Sequence, residues 1–177
     1  MPLVKGGKIA TDVFVHVADD AEIPVDGGIL ISAARFLGDA EALSGRAGKT
    51  GVIWPNNRDI DDLVPWLDRL AVVALVFPSF RDGRAYSQAR VLRERHGYRG
   101  ELRATGNVLP DQLQFMLQVG FDTFDIGERF TLATWQQASK LMSLAYQRGL
   151  YRRNDEAEIW TERHTDAEPW LEQPHAG

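Results

Sequence analysis

The 177-residue sequence predicts an α/β domain of repeated strand–helix units around a mainly parallel sheet flanked by helices. Three observations predict it. Val72 to Phe77 (VVALVF) is apolar with no alternation, the pattern of a strand buried on both faces, and such strands are mostly parallel. Pro78 cannot donate to a ladder and ends that strand, so Ser79 to Gly83 form a loop beyond its carboxyl end. From Gly28 to Gly149 the strand-then-helix rhythm recurs five times with short connections. A three-layer sandwich is the first arrangement these units suggest, and a partial TIM-like barrel is the second.

The elements follow in order. Leu3 to Lys8 and Val13 to Val17 are short strand-like runs, with Gly6 and Gly7 marking a hairpin turn. Ala18 to Asp26 is an acidic loop. A strand at GGILI then leads to a helix that Ser32 caps, with Ala33, Phe36, Leu37, Ala40 and Leu43 as its apolar positions. Gly51 to Trp54 is a strand closed by Pro55. The helix after it carries Ile60, Leu63, Val64, Leu67 and Leu70 on one face, with Asp59, Asp61 and Asp62 capping its start and Pro65 awkward inside it.

Arg84 to His96 reads as a helix stopped by Gly97, and Glu101 to Ala104 as the next strand. Asn107 is placed to cap VLPDQLQFMLQV, whose apolar face is Leu109, Leu113, Met116 and Leu117. Phe121 to Ile126 is a strand carrying Asp122 and Asp125. Thr131 caps a helix expected to run through Gln147. Residues 1–150 thus read as one α/β domain with an N-terminal β-hairpin, and 151–177 as an acidic C-terminal arm. In that arm Trp160 and Trp170 are expected to dock on the domain or on a second subunit, which favours a homodimer.

Composition narrows the function. A formal charge of -5 and a pI near 5.4 argue against a phosphate-gripping nucleic-acid binder. The absence of cysteine removes disulfides, thiol nucleophiles and cysteine-held clusters. The four histidines, His16, His96, His164 and His175, show no metal-site spacing, so no metal is expected. No apolar run approaches the roughly 20 residues of a membrane helix, and the N-terminus lacks the apolar core of a signal peptide. The expectation is a cytoplasmic protein that binds neither nucleic acid nor membrane.

Motifs add little chemistry. GRAGKT (Gly45 to Thr50) resembles the end of a phosphate loop but lacks its first glycine and precedes a strand. No dinucleotide fingerprint follows any strand, and no cofactor is expected. Arg81 to Arg103 holds seven arginines against three acids, and helical spacing sets Arg93 on the solvent side.

Arg81 and Arg84 flank a helix start, where an arginine is unfavourable unless an anion or an acidic side chain offsets it. The loops after three neighbouring parallel strands share one edge. Asn56, Asn57, Ser79, Arg81, Asp82, Arg84, Arg103, Thr105, Gly106 and Asn107 are therefore the candidates for a small-anion hollow. An internal ion pair of Arg81 or Arg84 with Asp82, Asp111 or Asp125 is the alternative. For acid–base chemistry the candidates are Asp125, Asp111 and Tyr86.

The run FPSFRDGRAYSQARVLRERHGYRGELRATGNVLPDQLQFMLQVGFDTFDI, with GVIWPNN and PWLDRLAVVALV before it, resembles a bacterial family, domain-of-unknown-function family 934. The resemblance is good from Gly51 to Ile126 and poor at both ends. It implies a place beside assimilatory sulfite reductase and phosphoadenylylsulfate reductase, whose genes commonly adjoin those of the family. Two expectations follow. The first is an accessory or interaction protein of sulfate and sulfite reduction with a small-anion site, whose partner is sulfite reductase or another sulfur-assimilation enzyme. The second is an enzyme, such as an oxidoreductase, acting on a small anionic sulfur or phosphate substrate.

Overall fold

The computed structural model describes residues 2–6, 8–127 and 129–140. The arm with Trp160 and Trp170, and the helix beyond Lys140, lie outside the described residues. Eight strands form one sheet: β1 (Leu3–Lys5), β2 (Lys8–Ala10), β3 (Phe14–His16), β4 (Gly28–Ser32), β5 (Thr50–Trp54), β6 (Leu70–Phe77), β7 (Glu101–Gly106) and β8 (Thr123–Asp125). Their order is β2-β1-β8-β7-β6-β5-β4-β3. Neighbours from β3 to β8 pair in parallel, and β1 pairs antiparallel with both β2 and β8.

That order forces the sheet to curl. Its two edge strands, β2 and β3, are consecutive in the chain and joined only by residues 11–13. The four Cα steps from Ala10 to Phe14 reach at most about 14 Å, whereas the edges of a flat eight-stranded sheet would stand roughly 34 Å apart. Phe14 on β3 and Arg103 on β7 report the same curl. Three strands separate them, roughly 19 Å on a flat sheet, yet the Arg103 guanidinium lies 5.6 Å from the centre of the Phe14 ring.

Helices line the outer face. They are α1 (Ala33–Ser44), a 3₁₀ segment Ile60–Arg69, α2 (Arg84–Arg90) running on into a π turn Val91–Arg95, a 3₁₀ turn Pro110–Gln112 leading into α3 (Leu113–Gln118), and α4 (Leu132–Lys140). Each parallel strand is added on the same side of the one before it, and right-handed crossovers then send every helix to one face. The burial agrees. Phe36, Leu63, Ala85, Ala89, Leu92, Met116 and Trp135 share one core with Ile31, Val52, Trp54, Val73, Leu75, Phe77 and Phe124 of the sheet. The inner face holds a separate small cluster of Leu30, Val72 and Ala74, with Phe14 and Ile53 against it. The α/β class therefore stands, while the layering is that of a curled half-barrel and not of a flat sandwich with helices on both sides.

Local chemistry explains the element ends. The Ser32 hydroxyl accepts from the Arg35 N–H (3.2 Å), and Thr131 accepts from the Thr134 N–H (3.4 Å). Asp59 caps the 3₁₀ segment by accepting from the Asp61 N–H, and Pro65, which has no N–H, sits within that tighter helix. Asn107 does not cap α3, contrary to expectation. Leu109 occupies the N-cap of the preceding 3₁₀ turn, and no side chain caps either piece. Inside the curl space is short: a Cβ on Gly51 would stand 2.1 Å from a Val72 methyl.

Two arginines serve as staples. Arg93, expected in solvent, is buried in the π turn, where it donates to the carbonyls of Tyr98, Gly100 and Gly120 and to Asp122 (2.7 Å). Its stem lies one turn past the buried Ala89, and the acceptors come from segments outside the helix. In GRAGKT, Arg46 donates to the carbonyls of Pro24, Asp26, Gly27 and Lys49, so that motif ties a loop to the start of β4.

Candidate functional site

The parallel register brings the loops after β5, β6 and β7 to one edge. Gly106 fixes how β6 and β7 end. Its φ is +93°, and a Cβ there would lie 2.5 Å from the Phe77 carbonyl oxygen, so only glycine fits. The Asn107 N–H then donates to that same carbonyl (2.7 Å). In the β6 loop the Asp82 N–H donates to the Ser79 carbonyl and the Arg81 N–H to the Ser79 hydroxyl (3.3 Å). Gln88 of α2 reaches the loop after β5, donating to the carbonyls of Pro55 (3.2 Å) and Arg58 (2.9 Å).

These contacts gather Asn56, Asp82 and Arg84 into one group. Arg84 donates through Nε and Nη2 to the two Asp82 oxygens (2.9 and 2.6 Å), and its backbone N–H also donates to Asp82 (3.2 Å). The Arg84 guanidinium first, and then the Arg84 N–H and the Asn56 amide, hold the Asp82 carboxyl well below the usual carboxylate range against a push upward from burial. Asp82 thus fills the place at the start of α2 that an external anion would take, the alternative already open from the sequence.

The other predicted residues part company. Asn57 is exposed on its turn. Arg103 lies three residues short of the strand end, opposite Ala74 in the register, and turns to the inner face. It is 3% exposed, with Asp12 and Glu101 as ion-pair partners. Thr105 is on the inner face too, its hydroxyl donating to Asp125 (3.3 Å). Tyr86 is on the outer face, packed against Phe77, Phe115 and Phe121, and Asp111 is exposed near it. The three acid–base candidates therefore divide across the sheet, Asp125 inside and Tyr86 with Asp111 outside.

What the outer side of this edge offers is an aromatic and cationic surface. Phe80 is 43% exposed and Phe115 is 53% exposed. Arg81 lies 5.4 Å over the Phe80 ring, and among the described residues no carboxylate pairs with it. Gln112 donates to the Phe80 carbonyl (3.2 Å), and the rings of Tyr86 and Phe115 are 4.8 Å apart, which links the loop, α2 and α3. Burial first, and Asp111 second, push the Tyr86 phenol up to about 12.

Sequence reasoning passed over Phe80, Phe115, Asp12 and Glu101. Phe115 was detectable, because it falls outside the apolar phase of Leu113, Met116 and Leu117. Asp12 carried no local signal. Among the described residues no group of three or more His, Cys, Asp or Glu side chains is arranged to hold a metal ion, and no helix is long and apolar enough to cross a membrane. A family model described as a bacterial protein of unknown function matches residues 51–156. No curated protein matches the chain.

Proposed function

We propose, for a chain that belongs to the DUF934 family of bacterial proteins, an accessory role in assimilatory sulfate and sulfite reduction. It docks on sulfite reductase or another enzyme of that pathway through the surface around Phe80, Arg81 and Phe115. The observation that carries this is the pair of exposed rings beside an arginine with no carboxylate partner among the described residues. Two large rings held in water at the end of a rigid sheet are stabilised when a partner covers them. Aromatic residues and arginine are also the types that dominate binding energy at interface centres. A carboxylate on the partner would complete Arg81.

The pathway rests on the family resemblance and its gene neighbourhood, and the mode of action on the surface. A small-anion site, a cytoplasmic setting and a homodimer belong to the same proposal. An enzyme acting on a small anionic substrate is the second reading. It draws on Asp125 and Thr105, paired on the inner face toward the carboxyl ends of β7 and β8, the end at which open parallel sheets place ligands.

The test joins binding and growth. Purified sulfite reductase is titrated with the wild-type chain and with a Phe80→Ser, Arg81→Ala, Phe115→Ser triple variant. Each anchor contributes about 2 kcal/mol, so the variant should bind at least tenfold more weakly. A strain lacking the gene should grow poorly on sulfate, recover with cysteine, and not recover with the triple variant. Equal binding by both proteins, or normal growth of the deleted strain, overturns the reading.

A further inference from the structure

Asp12 stands on the short link that joins the two edges of the sheet, with about a third of its side chain in water. Its oxygens accept from both terminal nitrogens of Arg103 (2.6 and 3.1 Å), and Oδ1 also accepts from the Phe14 N–H (3.0 Å). Arg103 is fixed on its other side, where Nε donates to Glu101 (3.0 Å), which in turn accepts from the Thr123 hydroxyl (2.7 Å). The Phe14 ring covers the guanidinium. The guanidinium fork therefore has one side built into β7 and β8 and one side filled by a carboxylate on an exposed link.

We propose that Asp12 is an internal stand-in for an external carboxylate or small oxyanion, so that the half-barrel interior at Arg103 is a gated anion site. The incoming anion displaces Asp12 and lifts the link. This deepens the small-anion part of the function proposed above and rests on it. Two parallel N–H groups of a guanidinium donate to a carboxylate or a tetrahedral oxyanion in the same bidentate manner. One anionic group replaces another, so Arg103 keeps a negatively charged partner throughout. A tethered carboxylate acts at an effective concentration of millimolar or more. The wild-type chain consequently holds external anions weakly, and removal of the Asp12 charge strengthens the site.

The experiment titrates sulfate, inorganic phosphate and acetate calorimetrically into the full wild-type chain, Asp12→Asn, and Asp12→Asn with Arg103→Gln, each checked for folding by circular dichroism. Asp12→Asn should bind at least one of these anions tenfold or more tightly than the wild type, and the double variant should lose that gain. A second arm needs no variant. Saturating anion should speed amide exchange at Phe14 in the wild type, and sodium chloride at equal ionic strength should not. No gain in Asp12→Asn, a gain that survives in the double variant, or exchange at Phe14 no faster than in chloride overturns the proposal. Anion binding that appears in Asp12→Asn while docking to sulfite reductase fails separates this proposal from the partner reading.

Discussion

Asp12 and Arg103, 91 residues apart in the chain, meet across the inside of the curled sheet with a closest distance of 2.6 Å. The contact ties the link to the inner face of the half-barrel, because Asp12 belongs to the three residues that run between the two edge strands. Partial burial pushes the Asp12 carboxyl upward, but Arg103 and the Phe14 N–H outweigh it and hold the group below its ordinary value.

Arg103→Gln should therefore destabilise the fold by about 2–3 kcal/mol in denaturant titration. That is the cost of breaking a buried ion pair, reduced because Asp12 and Glu101 retain some water. Arg103→Lys should recover little of it, since an ammonium cannot serve both Asp12 oxygens as a fork. An unchanged midpoint in Arg103→Gln would mean that the link is held by something other than this pair.

Gly106→Ala should cost about 1–3 kcal/mol. The residue holds a φ of +93°, and the added methyl would meet the Phe77 carbonyl oxygen at 2.5 Å. The damage should be local, so amide exchange at Asn107, whose N–H donates to that carbonyl, should accelerate more than exchange in β5.

Arg93 and Arg90 offer a paired comparison on one helical stretch. Arg93→Ala should cost about 3–5 kcal/mol, because it removes a buried guanidinium and strands the carbonyls of Tyr98, Gly100 and Gly120. Arg90→Ala removes an exposed pair with Glu94 and should cost no more than about 0.5 kcal/mol. Similar melting shifts for the two would contradict the burial.

Tyr86 gives a pH signature. Its phenol is raised from 10.0 to about 12, by burial first and by Asp111 second. A raised folded value means that stability is fully present below about pH 10 and is lost as pH rises toward 12, because the unfolded chain gives up the proton first. Ultraviolet titration should show this phenol ionising late. Asp111→Asn should bring it down, and Tyr86→Phe should remove its share of the alkaline loss.

The parallel strands and several helix caps were legible in the sequence, because each depends on near neighbours, while β7 runs two residues past the expected Ala104 and β8 is shorter than the expected Phe121 to Ile126. VVALVF is buried on both faces as its lack of alternation implies, and Ser32 and Thr131 cap the helices they precede. The loop from Ser79 to Gly83 was also legible as the end of a central strand. The pair of Arg84 with Asp82, two residues apart in one loop, was open from the sequence as well. What Arg93 and Arg103 do was decided by tertiary structure: Arg93 is answered by carbonyls at Tyr98, Gly100 and Gly120, and Arg103 by Asp12 from the far edge of the sheet. Periodicity reports whether a position faces the core, and it treats an arginine as belonging to water. Whether a guanidinium is buried depends on acceptors brought from distant segments. Strand order and curl set their arrival, through a link too short to leave the sheet flat.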